Sequence, residues 1–437
     1  MNNILVSIII PVYNGADFLR ENIESVLRQT YQCLEIIYIC DGCTDSTEGI
    51  LNEYREDRRL KIIRNSINKG AACSRNFGLE YANGQWLIFL DADDIFEPNM
   101  IEAMLDKAQR ENADICCCYY NYLDDDSKVN YKIMNWVPQL LIKSYPVMEV
   151  KKEENYLFQI GGNSPWDKLI HRDILRIDGA EIRFQNIPNA NDVYFSMASL
   201  MQADRIVFVD KILLHYRKSC GKRSLSSQRN KRHNYYLEAM DAVYEFLERN
   251  KQDHGQLKIS FYNKLLKELR DIQYGMNTEV YEKMIDELRA VYWEKWMMDK
   301  LQQKHMNSEM NWKLYELLRD NNEDIDSAAI QSDAIVKFIS SFGDKKIALW
   351  GAGGAGKSVL NMLAKRGKSI DYVIDMDQRK WEKEIDGCRI YSYEMIKDKV
   401  EVIIVPNPVW YEDIVYVLRE ENKEVYSLMK EIEFSNI

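Results

Sequence analysis

The first 120 residues alternate short apolar runs with amphipathic stripes. Ile4 to Ile10, Leu34 to Cys40, Leu60 to Ile63, Trp86 to Leu90 and Ile115 to Tyr119 are β-branched or aromatic runs of strand length, bounded by turn residues. Between them Phe18, Leu19, Ile23, Val26 and Leu27 recur near the 3.6-residue helical period, and Asp45 followed by Glu48 reads as a capping box opening a second helix. This alternation predicts an α/β fold with a mainly parallel, doubly wound sheet, whose ligands sit at the carboxyl ends of the strands. From about Ser226 to Phe342 strand signals vanish, and no proline occurs between Pro188 and Pro406. Three apolar stripes there predict core-facing helices: Leu237, Met240, Tyr244 and Leu247; Tyr262, Leu265, Leu269 and Ile272; Met284, Leu288 and Tyr292. After the acidic stretch Asp320 to Asp326 a second βαβ pattern begins at Lys346, with Ile347 to Trp350, a glycine-rich turn, Tyr372 to Ile374 and Val402 to Val405. The expected organisation is a catalytic-type α/β domain over 1–225, a helical region over 226–342 and a small Rossmann-like domain over 345–437.

Composition narrows the classes. The 437 residues are 46% hydrophobic and 29% charged with only 19 Gly and 8 Pro, as in an ordered globular chain and unlike a disordered or collagenous one. No apolar run approaches the ~18 to 20 residues that span a bilayer. Met1 to Tyr13 is apolar but has no Lys or Arg before the run and no small-residue cleavage site after it, so the expected localisation is cytoplasmic. Nine unevenly placed cysteines do not make a disulfide framework, and Cys40 with Cys43 lacks the second pair or spaced His of a zinc site. A net charge of −11 argues against nucleic acid as a partner, since that affinity comes mainly from neutralised phosphates.

Chemistry concentrates after the strands. Asp91-Ala92-Asp93-Asp94 follows one directly, and in extended backbone Asp91 and Asp93 point the same way. Two such carboxylates suit a hard cation, Mn²⁺ or Mg²⁺, which combines protein oxygen ligands with phosphates and water. The plainer alternative is an acidic turn before the helix that starts after Pro98. Three further segments reach the same sheet edge: Val6 to Asn14, Asp41 to Asp45, and Asn68-Lys69-Gly70 to Arg75-Asn76-Phe77-Gly78.

In the order and spacing of these four segments, residues 4 to 220 resemble the family 2 glycosyltransferases of bacterial type, which have the GT-A fold. The resemblance implies an inverting, metal-dependent transfer of a sugar from a nucleoside-diphosphate sugar, UDP-linked, to a hydroxyl of a glycan or lipid-linked acceptor in cell-surface polysaccharide synthesis. It implies that Pro11, Tyr13, Asp41, Arg75, Asp91 and Asp93 contact the nucleotide sugar, with Asp41 accepting from the uracil imide and Asp93, with Asp91, ligating the cation. Asn191-Asp192 ahead of Val193-Tyr194-Phe195 resembles the family's acidic pair, which makes Asp192 the general base; the alternative is a helix cap. Trp166 matches a segment that could stack on an acceptor sugar or lie in the core. This sequence departs from the family at Cys40, Cys43 and Asn191, which leaves a non-catalytic sugar-binding scaffold as an alternative. His215-Tyr216-Arg217 and the stretch to Arg232 hold seven Lys or Arg and no acid, which suggests a flap over the diphosphate, peripheral contact with an anionic membrane surface or a solvated loop.

Gly351, Gly353 and Gly356, followed by Lys357-Ser358, satisfy both the dinucleotide pattern GxGxxG and the phosphate-loop pattern. Asp375 lies about 20 residues on, at the end of the next strand, as a ribose-binding acid would. The segment resembles small Rossmann-like modules on bacterial sugar-processing enzymes, and it is expected to bind, dock or regulate, with homo-oligomer formation among its uses. The rival reading of the chain is a nucleotide-dependent oxidoreductase or kinase run by this loop.

Overall fold

The computed structural model describes residues 4–123, 129–130, 146–177, 179–217, 235–249, 255–273, 278–321, 325–406, 414–415, 418, 421 and 423–433. The chain forms two compact units, Met1–Lys264 with Met276–Leu288, and Leu265–Gly275 with Arg289–Ile437.

The first unit is built on a sheet of ten described strands. Its parallel half comprises β1 (Val6–Val12), β2 (Leu34–Asp41), β3 (Leu60–Asn65) and β4 (Trp86–Phe89), joined by helices α1 (Ala16–Leu27), α2 (Thr47–Glu53) and α3 (Ala71–Tyr81). All eight residues of β2 are buried, as expected of a central parallel strand covered on both faces, and this explains its unbroken apolar run. The spatial order β3-β2-β1-β4 sets the ends of these strands, near Asn65, Asp41, Tyr13 and Asp91, side by side on one edge. Pro11 lies past the last β1–β4 pair, Ile9 with Phe89, so its missing N–H removes no bond on that side.

The other half was less visible in the sequence. Strands β5 (Ile95–Phe96), β6 (Ile115–Leu123), β7 (Val129–Asn130), β8 (Val147–Glu149), β9 (Lys168–His171) and β12 (Arg205–Arg217) complete the sheet, with β10 (Arg176–Ile177) and β11 (Ala180–Glu181) in a separate hairpin. Helix α4 (Met100–Glu111) packs on β6 and β12. β9 inserts antiparallel between β4 and β6. β12 pairs parallel with β6 through register shifts between Val209 and Leu214, where the charged pair Asp210-Lys211 interrupts the apolar pattern that would announce a strand. The expected capping box does not form: α2 starts at Thr47, Asp45 accepts from the Thr47 N–H, and Glu48 turns away to Arg64 at 2.6 Å. Helix α5 (Val193–Gln202) and the helix Tyr236–Arg249 pack together, the latter burying Leu237, Met240, Tyr244 and Leu247 as its stripe predicts.

The second unit contains a six-stranded sheet ordered β15-β16-β14-β13-β17-β18, with β13 (Ile347–Trp350), β14 (Tyr372–Ile374), β15 (Glu384–Ile385), β16 (Cys388–Tyr391), β17 (Val402–Val405) and β18 (Glu424–Ser427). All its pairings are parallel except the β15–β16 hairpin. The helix Ser327–Ser340 buries Ile330, Ile335 and Ile339 and packs on the helices Gly354–Lys365 and Leu428–Glu433, so this helix of the middle region shares its core with the Rossmann-like sheet.

Candidate active site

At the end of β2, Asp41 is only 2% exposed. Its Oδ1 accepts from Asn65 Nδ2 at 2.7 Å and Lys69 N at 3.0 Å, and its Oδ2 from Gly70 N at 2.8 Å and Lys69 N at 3.2 Å. Three N–H donors thus converge on the two carboxylate oxygens, that of Lys69 shared between them. Asp41 therefore holds the 65–70 turn at the start of α3. Gly42 makes this approach feasible: it has φ +67°, and a Cβ there would lie 2.3 Å from Asn68 N. Gly42 stands in the Asp41 to Asp45 segment singled out in the sequence, whereas Asn65 carried no signal there.

Next to it, Asn14 at φ +47° clasps the loop after β2, its Oδ1 accepting from Thr44 N at 2.8 Å. Tyr13 projects from this edge, 51% exposed, as a flat apolar face with a polar tip. Below it the Cys40 and Cys43 thiols hydrogen-bond to each other, and Cys43 Sγ donates to Val12 O at 3.4 Å. That bond pulls Cys43 down to about 7 and pushes buried Cys40 far up. Both are free thiols.

Arg75, 7% exposed, draws three expected positions together. Its Nη2 donates to Asp91 Oδ1 at 2.6 Å, its Nη1 to Asn191 Oδ1 at 3.4 Å, and its guanidinium lies 5.3 Å over the Phe184 ring. Asn191, a departure from the family pattern, thus supplies a neutral acceptor to Arg75. The preceding Ala190 is held at φ +57°, a conformation that costs a non-glycine residue about 1 kcal/mol or more. Asp192 occupies the N-cap position of α5, yet its side chain does not cap the helix, so the expected alternative of a cap is not adopted.

Asp91 and Asp93 differ in their surroundings. Asp91 is engaged by Arg75, whereas the Asp93 carboxylate has no side-chain partner among the described residues. Burial, then the neighbouring charge of Asp91, pushes Asp93 up to about 6, against the opposing pull of Arg217 and Arg75. A partly buried carboxylate beside a second one is an environment that a divalent cation relieves, so Asp93 fits as a ligand and Asp91 fits less well. Among the described residues no three His, Cys, Asp or Glu side chains converge as a metal-ligand set, and a cation would complete its shell with phosphate and water oxygens.

Two further expectations change. Trp166, 9% exposed, stacks on Tyr216 at 5.5 Å and meets Tyr120 edge-on at 4.6 Å, so the structure places it in the core. His215, Tyr216 and Arg217 end β12 and are not part of a loop: His215 lies between Asn121 Oδ1 at 2.5 Å and Glu97 Oε1 at 2.7 Å. The rest of that basic stretch, to Arg232, lies outside the described residues. In the second unit, Asp375 accepts from Ala352 N and Asp377 N, each at 2.9 Å, and from Lys380 Nζ at 2.8 Å. Its carboxylate holds the glycine-rich loop, where Gly351 has φ +127° and a Cβ on Gly356 would lie 1.9 Å from Gly351 O, while the space around Gly353 is open.

The fold and this edge define a GT-A type α/β transferase. Residues 7–176 match the family described as Glycosyl transferase family 2, and residues 343–427 match C2185-like, N-terminal. The uncharacterized glycosyltransferase EpsJ of Bacillus subtilis is 30% identical over 263 residues, 59% of this chain and 70% of that protein. Glycosyltransferase GlyG of Streptococcus pneumoniae is 29% identical over 222 residues, 50% of this chain and 72% of that one. The crystal structure of S. aureus TarS 1–349 in complex with UDP-GlcNAc shares the fold with a TM-score of 0.58 at 19% identity, covering 75% of this chain and 91% of that one. The chain belongs to glycosyltransferase family 2 and is a glycosyltransferase.

Proposed function

We propose that the protein transfers a hexosyl or N-acetylhexosaminyl group from a UDP-sugar to a hydroxyl of a glycan or lipid-linked acceptor, with inversion. The observation that carries this reading is the unshared Asp93 carboxylate beside the Arg75–Asp91 pair and the Asn191-Asp192 step. A divalent cation held by Asp93 would neutralise charge on the departing diphosphate. Arg75 orients Asp91 and Asn191, Tyr13 offers a stacking face to the base, and Asp192 takes the proton of the acceptor hydroxyl as it attacks the anomeric carbon. Inversion needs one such base, on the face opposite the leaving group. The UDP-GlcNAc and UDP complexes of the fold neighbour TarS support a uridine donor. The acceptor assignment to cell-surface polysaccharide synthesis rests on the family resemblance, a cytoplasmic location on the lack of signal features in Met1 to Tyr13, and peripheral membrane contact on the basic stretch to Arg232; no helix of the described residues is long and apolar enough to cross a bilayer. Residues 345–437 are assigned a binding or docking role apart from transfer.

A panel of UDP-sugars assayed with Mn²⁺, for melting shift and for UDP release with acceptor glycans, tests the reading. One donor should stabilise the protein and turn over, and Asp93→Ala should abolish turnover. Stabilisation by NAD or ATP but not by UDP with Mn²⁺, or full activity of Asp93→Ala, would overturn it.

A further inference from the structure

The turn that carries Asp93 is held by side chains from two elements, α1 and the end of β12. Asn22 of α1, fully buried, donates through Nδ2 to Asp91 O at 2.9 Å and Asp94 O at 2.8 Å. Tyr38 of β2, also fully buried, donates its hydroxyl to Asn22 Oδ1 at 2.7 Å, which fixes the amide orientation. From the end of β12, Arg217 donates its N–H to Asp94 Oδ1 at 2.8 Å and its Nε to Asp93 O at 2.9 Å. The main-chain oxygens of Asp91, Asp93 and Asp94 are therefore all held by buried side chains.

Arg217 is itself anchored. Its Nη2 meets Glu21 Oε2 at 2.8 Å, and its guanidinium lies 4.2 Å over the Phe18 ring, both residues on α1. The side chain is buried although it stands at the ligand edge of the sheet. Burying a guanidinium and the Asp94 carboxyl, whose Oδ2 finds no partner among the described residues, is costly for stability alone. Such an arrangement does fix the direction of the Asp93 carboxylate, which no side chain engages among the described residues.

We propose that Arg217, with Asn22, is a positioning residue for the cation site: it sets the geometry of the Asp91–Asp94 turn so that Asp93 is presented to the cation and diphosphate. This rests on the reading of Asp93 as a cation ligand. Groups that orient a metal ligand through such contacts change metal affinity about 10- to 100-fold when altered. They leave metal-independent contacts to a nucleoside in place.

The test measures Mn²⁺ uptake by the full chain in the presence of UDP, from the free-Mn²⁺ electron paramagnetic resonance signal, together with metal-free UDP binding by calorimetry. Arg217→Lys and Asn22→Ser are compared with wild type and with Arg20→Ala, which removes an exposed pair on the same helix to Glu53. In variants that retain a cooperative melting transition, Mn²⁺ affinity should fall at least 10-fold while metal-free UDP affinity stays within about 2-fold; Arg20→Ala should match wild type. If wild type takes up Mn²⁺ and both folded variants do so within 2-fold of it, the positioning role is overturned. If one of the two fails to fold, the other decides. Wild-type protein that takes up no Mn²⁺ with UDP would overturn the cation reading of Asp93, and this inference with it.

Discussion

The two units repeat one local device with the same outcome, and the first adds a strand-end aspartate that escapes it. Each has a run of parallel strands with an aspartate at a strand end beside a glycine-containing turn. In the second unit Asp375 is consumed by its own loop, through Ala352 N, Asp377 N and Lys380 Nζ, and its position below the usual carboxylate range reflects those donors. In the first unit Asp41 is consumed in the same way by Asn65, Lys69 and Gly70. Asp93 is not, and burial pushes it up to about 6. An aspartate after a strand is thus no sign of a ligand by itself. What distinguishes the two is whether the chain already satisfies the carboxylate, because a satisfied one gains little from a new partner and an unsatisfied one gains much.

The largest expected effect lies away from both glycine turns. Asp192→Asn should lower turnover about 10²- to 10⁴-fold with UDP affinity nearly intact, read by kcat and by nucleotide titration; unchanged transfer would remove Asp192 from the chemistry. Next, Asp93→Asn should cost roughly 10²- to 10³-fold in transfer, the scale of losing one fixed electrostatic contact to the transition state. Asp375→Asn should leave transfer within about 2-fold. Equal losses in the two variants would break the contrast between the units.

The consumed aspartates should instead report in stability. Asp375→Ala and Asp41→Ala each leave turn N–H groups without their acceptor, a loss of about 1 to 3 kcal/mol, visible as an earlier denaturant midpoint. Asp41→Ala should also weaken donor binding, since it releases the turn beside Tyr13. The smallest effect concerns pH without metal. Because Asp93 has a folded-state pKa above its ordinary value, it binds its proton more tightly when folded, and its ionisation opposes folding as pH rises from 4 through 6. Asp93→Asn should therefore melt higher than wild type at pH 7.5, by about 1 kcal/mol after allowance for solvent screening. The advantage should shrink towards pH 4, and Mn²⁺ with UDP should reverse it; a gap that grows on acidification would contradict the environment described for Asp93.

Much of the framework was written locally. The β-branched runs at Ile8, Ile36, Ile88 and Ile403 and the helical stripe at Leu237, Met240 and Tyr244 report burial directly, because strand and helix periods repeat within a few residues. The strand-end motifs were legible for the same reason: chain order and a parallel sheet suffice to bring Tyr13, Arg75 and Asp91 to one edge. The strand β12 was hidden because Asp210-Lys211 breaks its pattern, and only its pairing with β6 restores it. Which carboxylate stays unshared was equally hidden. Asp41, Asp91, Asp93 and Asp375 are the same residue type in similar local sequence, and their differences come from Asn65, Arg75, Asn22, Arg217 and Lys380. Four of those five are more than 10 residues away along the chain from the aspartate they serve, Lys380 being the exception. The sequence by itself determined the elements, the family and the sheet edge, whose signals are local and periodic. The tertiary structure alone decided which of these four aspartates has a carboxylate without a side-chain partner among the described residues, because a hydrogen-bond donor can arrive from any element that packing brings within 3 Å.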